Sequence, residues 1–163
     1  MFATYKRHNN LLYNKLVELS RNKFFYEEIR LSDDFESRIL LIFFHLATIF
    51  QISKDAKNKK KSQEIFDNVF LNIEYHIREL GYGDVAVNKK MKTLSKIFFD
   101  ILVKLDKDEN ANDIIKKYFF DIKNYDDKKI KKLADYFVKF KDFCFDLDVN
   151  NMLNGSINFI YKN

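Results

Sequence analysis

Residues Ile39–Phe50 read ILLIFFHLATIF. A helix built from this run is apolar nearly all round, and a helix without a wet face belongs in the middle of a bundle. Asp33 followed by Glu36 has the spacing of a capping box, with Asp in the Ser/Thr position. It predicts a helix of about 20 residues, at about 33–53. The uncharged run Ile39–Ser53 is too short and interrupted for a membrane span, which needs about 20 apolar residues.

The remaining apolar positions also recur at helical spacing. Leu12, Leu16 and Leu19, preceded by Tyr5, predict a first helix, and Phe24, Phe25 and Ile29 a short second one. Beyond the central run, KDAKNKKK at 54–61 has no apolar period and reads as an exposed loop or fraying helix end. A helix then opens at Ser62, with Ile65, Phe66, Val69, Ile73, Ile77 and Leu80 on one face. Gly81–Val87 breaks it, and Met91, Leu94, Ile97, Phe98, Ile101, Leu102 and Leu105 define the next. Asp106–Asn112 is turn-like. Ile114, Ile115, Tyr118, Phe119 and Ile122 predict another helix. Ile130, Leu133, Ala134, Phe137, Val138 and Cys144 predict one starting near Asp126. Asn150–Gly155 reads as a turn and Ile157–Tyr161 as a short terminal piece. No strand alternation, long heptad run or internal repeat is found. The expectation is a single all-α domain over 1–163, with about six to eight helices around the buried central one.

Composition agrees. The chain has 163 residues, 47% of them hydrophobic and 33% charged, enough for both a core and a wet surface. The formal charge of +5 invites an anionic partner, either nucleic acid or a membrane surface. Yet only five of the 29 basic residues are arginine, the usual phosphate reader, and 24 are lysine. The lone Cys144, between two phenylalanines, excludes an internal disulfide and reads as a small buried hydrophobe. The amino-terminal residues show no apolar leader core.

Turn residues are scarce: three glycines and no proline. Two glycines fall in RELGYGDVAVNKKMK at 78–92. With a helix ending near Leu80, Gly81 sits where a left-handed residue closes a helix, and Tyr82 would pack back on Ile77. Gly83 permits a second unusual backbone step, and Asp84 can bond nearby amides or start the next helix. Arg78, Glu79, Asp84, Lys89, Lys90 and Lys92 point away from the core faces and offer an exposed charged corner. Other chemistry finds little support. Gly81-Tyr82-Gly83 follows a helix and lacks the third glycine of a dinucleotide loop. There is no nucleophile elbow and no marked acid–base pair. His45 and His76 lie on apolar faces and read as hydrogen-bonded core residues. No catalytic residue, metal ligand or cofactor is expected.

The run at 78–92 resembles the signature of the ubiquinol–cytochrome c chaperone family, the assembly factors for cytochrome b of respiratory complex III. LYNKLVELSRNKFFYEEI at 12–29 is similar to the family's opening helix and aromatic turn, and DFESRILLIFFHL at 34–46 to its central helix. SQEIFDNVFLNIEYHIRE at 62–79 and MKTLSKIFFDIL at 91–102 resemble the helices entering and leaving the signature. The resemblance covers roughly 12–105. It departs at Asn72, where the family tends to be acidic, at Ala86 and Asn88, where it often has Ser and Pro, and around Phe99–Asp100, where a Gly is usual. It implies a non-enzymatic chaperone that binds newly made cytochrome b and assists complex III assembly. The implied surroundings are the ribosome exit region and an anionic membrane surface, with no specific nucleic acid. With no transit peptide at its start, the chain is expected in the bacterial cytoplasm, peripheral on the inner membrane. The expected partner-binding residues are Arg78, Glu79, Asp84, Lys89, Lys90 and Lys92, with Gly81, Tyr82 and Gly83 forming the turn. The alternative from charge alone is a basic helical protein that binds a membrane surface or nucleic acid.

Overall fold

Asp34 starts the central helix: its carboxylate accepts the Ser37 N–H at 2.8 Å. This puts the cap one residue later than the Asp33–Glu36 pattern predicts, because the Asp33 carboxylate is held by the Arg38 guanidinium at 2.6 Å. The computed structural model describes residues 11–107, 110–121, 123 and 125–162. Among these residues are seven α-helices and no strand. They are α1 (Leu11–Ser20), α2 (Phe35–Ile52), α3 (Lys59–Glu79), α4 (Asp84–Leu105), α5 (Ala111–Phe119), α6 (Asp127–Phe145) and α7 (Val149–Leu153). A π-helical turn, Phe24–Glu28, separates α1 from α2, and a 3₁₀ turn, Ala56–Asn58, leads into α3. Tyr5 and Ile122, assigned to helices by their spacing, lie outside the described residues.

The all-α expectation holds, with α2 at its centre. Ile39 and every residue from Leu41 to Ile49 are buried. α2 packs against α1, α4, α5 and α6. At 18 residues and a mean hydropathy of 1.5 it is long and apolar enough to cross a membrane, contrary to the sequence expectation, but it is wrapped by protein. Aromatic rings do much of the wrapping. Phe43 stacks on Phe70 and meets Phe98 edge-on, both at 5.4 Å between centroids. On the other side Phe44 meets Phe119 and Phe137 at 5.0 and 5.3 Å. Buried hydroxyls bond back along their own helices: Ser20 to the Leu16 carbonyl at 2.7 Å and Thr48 to that of Phe44 at 2.9 Å. They therefore enter the core without a stranded donor.

His45 is the polar exception in this core, fully buried among Phe25, Tyr136, Phe137 and Phe140. Its Nδ1 lies 2.7 Å from the Leu41 carbonyl, and its Nε2 lies 2.7 Å from the Tyr136 hydroxyl. A carbonyl can only accept, so Nδ1 carries the proton and Nε2 accepts from Tyr136. The ring is neutral, and burial pulls its pKa down to about 4. Cys144 is also fully buried, and burial pushes its thiol up to about 12.

Several boundaries move. Lys59–Lys61 form the first turn of α3. α4 resumes at Asp84, so Val87 is a buried helical residue outside any break. Leu80 and Val138, expected on apolar faces, are each 55% exposed. Tyr136 and Phe140 take the inward positions on α6. His76 is exposed and stacks face to face on Phe35 at 4.9 Å, so it is not a core residue. Where Asn150–Gly155 reads as a turn, Val149–Leu153 form α7, and Gly155 follows two residues after its end at φ +82°. A Cβ there would stand 2.7 Å from the Leu11 carbonyl oxygen. Only glycine lets the carboxy-terminal turn close on the start of α1.

The buried neutral histidine predicts a pH dependence. The folded pKa of about 4 lies below the ordinary 6.5, so the unfolded chain binds the extra proton. Stability is complete above pH 6.5 and falls as pH drops through 6.5 toward 4, by about 3 kcal/mol. Urea unfolding between pH 7 and 4.5 should show this slope in the wild type and lose it in the apolar double variant His45→Leu/Tyr136→Phe. A flat wild-type profile would contradict the buried neutral ring.

Candidate functional site

The corner between α3 and α4 is built by one glycine. Leu80 N–H reaches the carbonyls of His76 and Ile77 at 3.1 and 3.2 Å, and Gly81 N–H reaches that of Arg78 at 3.0 Å. Gly81 has φ +96°, as the sequence predicts for a helix-closing residue. Gly83 does not need its freedom. It is the residue before α4, at φ −76° and ψ 167°, ordinary extended backbone. Tyr82 is 45% exposed, with the Lys90 ammonium 4.6 Å from its ring centre. Asp84 bonds no amide; its carboxylate takes the Arg78 guanidinium. That guanidinium also reaches Glu74 at 3.1 Å, so one arginine ties the last turns of α3 to the first residue of α4.

Apart from Asp84, which is paired with Arg78, the structure divides the charges of the corner among three settings. Arg78 and Glu79 turn toward a groove on the α1 side. Lys90 is half-buried and held over Tyr82. Lys89 and Lys92 are exposed on α4 and do not line the groove. The division follows from about 100° of rotation per helical residue.

The groove runs between α1, the start of α2 and the end of α3, with a volume of about 1030 Å³. Its floor is apolar: Val17 from α1, and Ile39 and Ile42 from α2. Its rim carries Arg21, Arg38 and Arg78, three of the five arginines in the chain. Arg38 is anchored by Asp33 and Arg78 by Glu74 and Asp84, so both guanidiniums are held in fixed positions. The stacked Phe35–His76 pair lines the same groove. An apolar floor with a fixed guanidinium rim suits a polypeptide segment whose apolar side chains sit inside and whose carbonyls or carboxylates meet the rim. Of the candidate residues read from sequence, only Arg78 and Glu79 line it. Among the described residues no group of three His, Cys, Asp or Glu side chains is placed to hold a metal ion, and His45 is sealed in the core.

A model of the ubiquinol-cytochrome C chaperone family matches residues 27–159. The chain belongs to that family. The matched range takes in the corner, all of α4 and the segment after Asp106, which the sequence resemblance did not reach. The fold is also similar to the crystal structure of the Cbp3 homolog from Brucella abortus, with a TM-score of 0.76. That likeness covers 93% of this chain and 87% of the other at 19% identity, and it speaks for the fold alone. No curated protein matches the chain. For this member of the ubiquinol-cytochrome C chaperone family, α1 precedes the matched range, so one wall of the groove is built by residues outside it.

The two glycines of the corner should respond in opposite ways. Gly81→Ala forces a side chain into the left-handed region and should cost about 1 kcal/mol, although its Cβ would meet no atom within 4 Å. Gly83→Ser adds the missing helix cap and should gain a few tenths of a kcal/mol. Urea denaturation of both variants checks the pair of signs.

Proposed function

We propose that the chain is a non-enzymatic assembly chaperone. It holds newly synthesised cytochrome b during biogenesis of respiratory complex III, ubiquinol–cytochrome c reductase. Membership of the chaperone family supports the assembly role. The groove is the observation that carries the client: an apolar floor with an arginine rim, beside a corner braced by Arg78. A membrane protein before assembly offers apolar helices joined by polar turns, and the groove has a matching surface for each. Arg78, Glu79, Asp84, Lys89, Lys90 and Lys92 orient the client by charge around that groove. The working place in this reading is the cytoplasmic face of a bacterial inner membrane, near the ribosome exit, where the basic loops add attraction to anionic lipid. The lysines of α4 favour a lipid surface over nucleic acid as the anionic partner.

A strain lacking the protein should contain less cytochrome b and less assembled complex III, and the wild-type gene should restore both. Arg21→Glu, and separately Asp84→Lys/Lys89→Glu, should weaken client capture by several-fold, since about 1.4 kcal/mol of lost contact is a tenfold change. Helical content should be unchanged. A photo-crosslinker at Tyr75, which lines the groove, should yield an adduct with cytochrome b. Normal cytochrome b and complex III in the deletion strain would overturn the proposal.

A further inference from the structure

The outer face of α4 carries a pattern that starts at the corner's Lys89 and Lys92 and runs well beyond it. Val85, Lys89, Lys92, Lys96, Phe99 and Val103 lie within about 40° of a single line along the helix, and the line is about 27 Å long. All six are exposed, Val85 by 73%, Phe99 by 51% and Val103 by 65%. No carboxylate occurs from Val85 to Phe99. Asp84, just before, is taken by Arg78, and Asp100, just after, by Lys104, Lys117 and Tyr118. Among the described residues, Lys89, Lys92 and Lys96 have no ion-pair partner within 4.0 Å in the salt-bridge geometry that Lys104 and Lys117 find at Asp100. Three unneutralised ammoniums thus stand one helical turn apart, with apolar side chains at both ends of the row.

We infer that this face of α4 docks on the headgroup layer of an anionic lipid bilayer, with the lysines on lipid phosphates and Val85, Phe99 and Val103 at the acyl boundary. Charge complementarity selects the occupant. A second copy of the chain would set lysine against lysine. A protein interface has an apolar centre and a polar rim, and this face has the reverse order. A nucleic-acid surface would use arginine forks and would gain nothing from exposed valines at both ends. A bilayer uses both kinds of side chain: lysine stems lie along the surface with their ammoniums among the headgroups, while short apolar side chains enter the boundary. The inference rests on the membrane location in the proposed function and adds the face that makes the contact.

Sedimentation of the full chain with vesicles tests it. Binding to phosphatidylglycerol–phosphatidylcholine vesicles should be strong at low salt and fall steeply as salt rises, and binding to phosphatidylcholine alone should be weak. The triple variant Lys89→Glu/Lys92→Glu/Lys96→Glu should lose roughly a hundredfold in partitioning, from about a factor of five per lysine at an anionic surface. Phe99→Ser/Val103→Ser should keep the low-salt binding and lose what remains at high salt. All these positions are exposed, and circular dichroism should confirm unchanged helix. Wild-type protein that ignores lipid charge would overturn the inference, as would a triple variant that binds like wild type. Tighter binding to an RNA duplex than to anionic vesicles, lost in the same triple variant, would also overturn it and give the face to nucleic acid. Vesicle binding is read without cytochrome b, so its failure is distinct from failure of the chaperone reading, which is decided by cytochrome b and complex III levels.

Discussion

A helix that is apolar on every side must be surrounded, and α2 imposes that condition on the whole chain. The surrounding helices meet it, and many of the contacts between them are aromatic and aliphatic, which hold helices together without fixing their rotation closely. The hydrogen bond between His45 Nε2 and the Tyr136 hydroxyl supplies the missing direction. It joins residues 91 positions apart and works only when both rings face each other inside a fully buried cage. Leu41 completes it by holding the proton on Nδ1. A mispaired α6 would leave a buried imidazole nitrogen or a buried hydroxyl without a partner, at a cost of about 1–3 kcal/mol. A single polar pair therefore fixes α6 on α2 where apolar packing alone tolerates alternatives.

With α6 and α5 on one side of α2, the α3–α4 pair covers another, and the corner between them turns without much covalent help. Gly81 provides the one left-handed residue. The rest of the brace is electrostatic: Arg78 holds Glu74 in its own helix and Asp84 in the next. These groups are exposed enough that the pairs add little to global stability. Their effect is positional. They fix the guanidinium at the rim of the groove and neutralise Asp84, the carboxylate that precedes the outer lysine row.

The central helix was legible because twelve residues without a charge admit few readings, and its neighbours because their apolar spacing is regular. The family was legible in the order of five short segments, none decisive alone. Other features were hidden for definite reasons. Asp33 and Asp34 are equally good caps in the sequence, and only the Arg38 contact to Asp33 decides between them. Leu80 and Val138 fit their apolar faces by period, yet they lie where no other element covers them. The groove joins Val17, Arg21, Arg38 and Arg78, residues spread over more than sixty positions, and no local pattern links them. The scarcity of arginine was the one available signal, because three of five lie at that rim.

The same period that hid the groove separates its chemistry from that of α4. Lys89, Lys90 and Lys92 are neighbours in sequence, but helical rotation sends Lys90 to Tyr82 and leaves Lys89 and Lys92 in line with Lys96. A client in the groove is met first by Arg78 and Glu79 and a lipid surface by the α4 row, and Lys89 and Lys92 are the side chains on which both draw. The groove has its own dependence. Its α1 wall lies before the matched family range and is met at Leu11 by the turn at Gly155, where no side chain fits. The carboxy-terminal turn thus helps set the position of α1, and through it the width of the groove, although it contributes no residue to the lining.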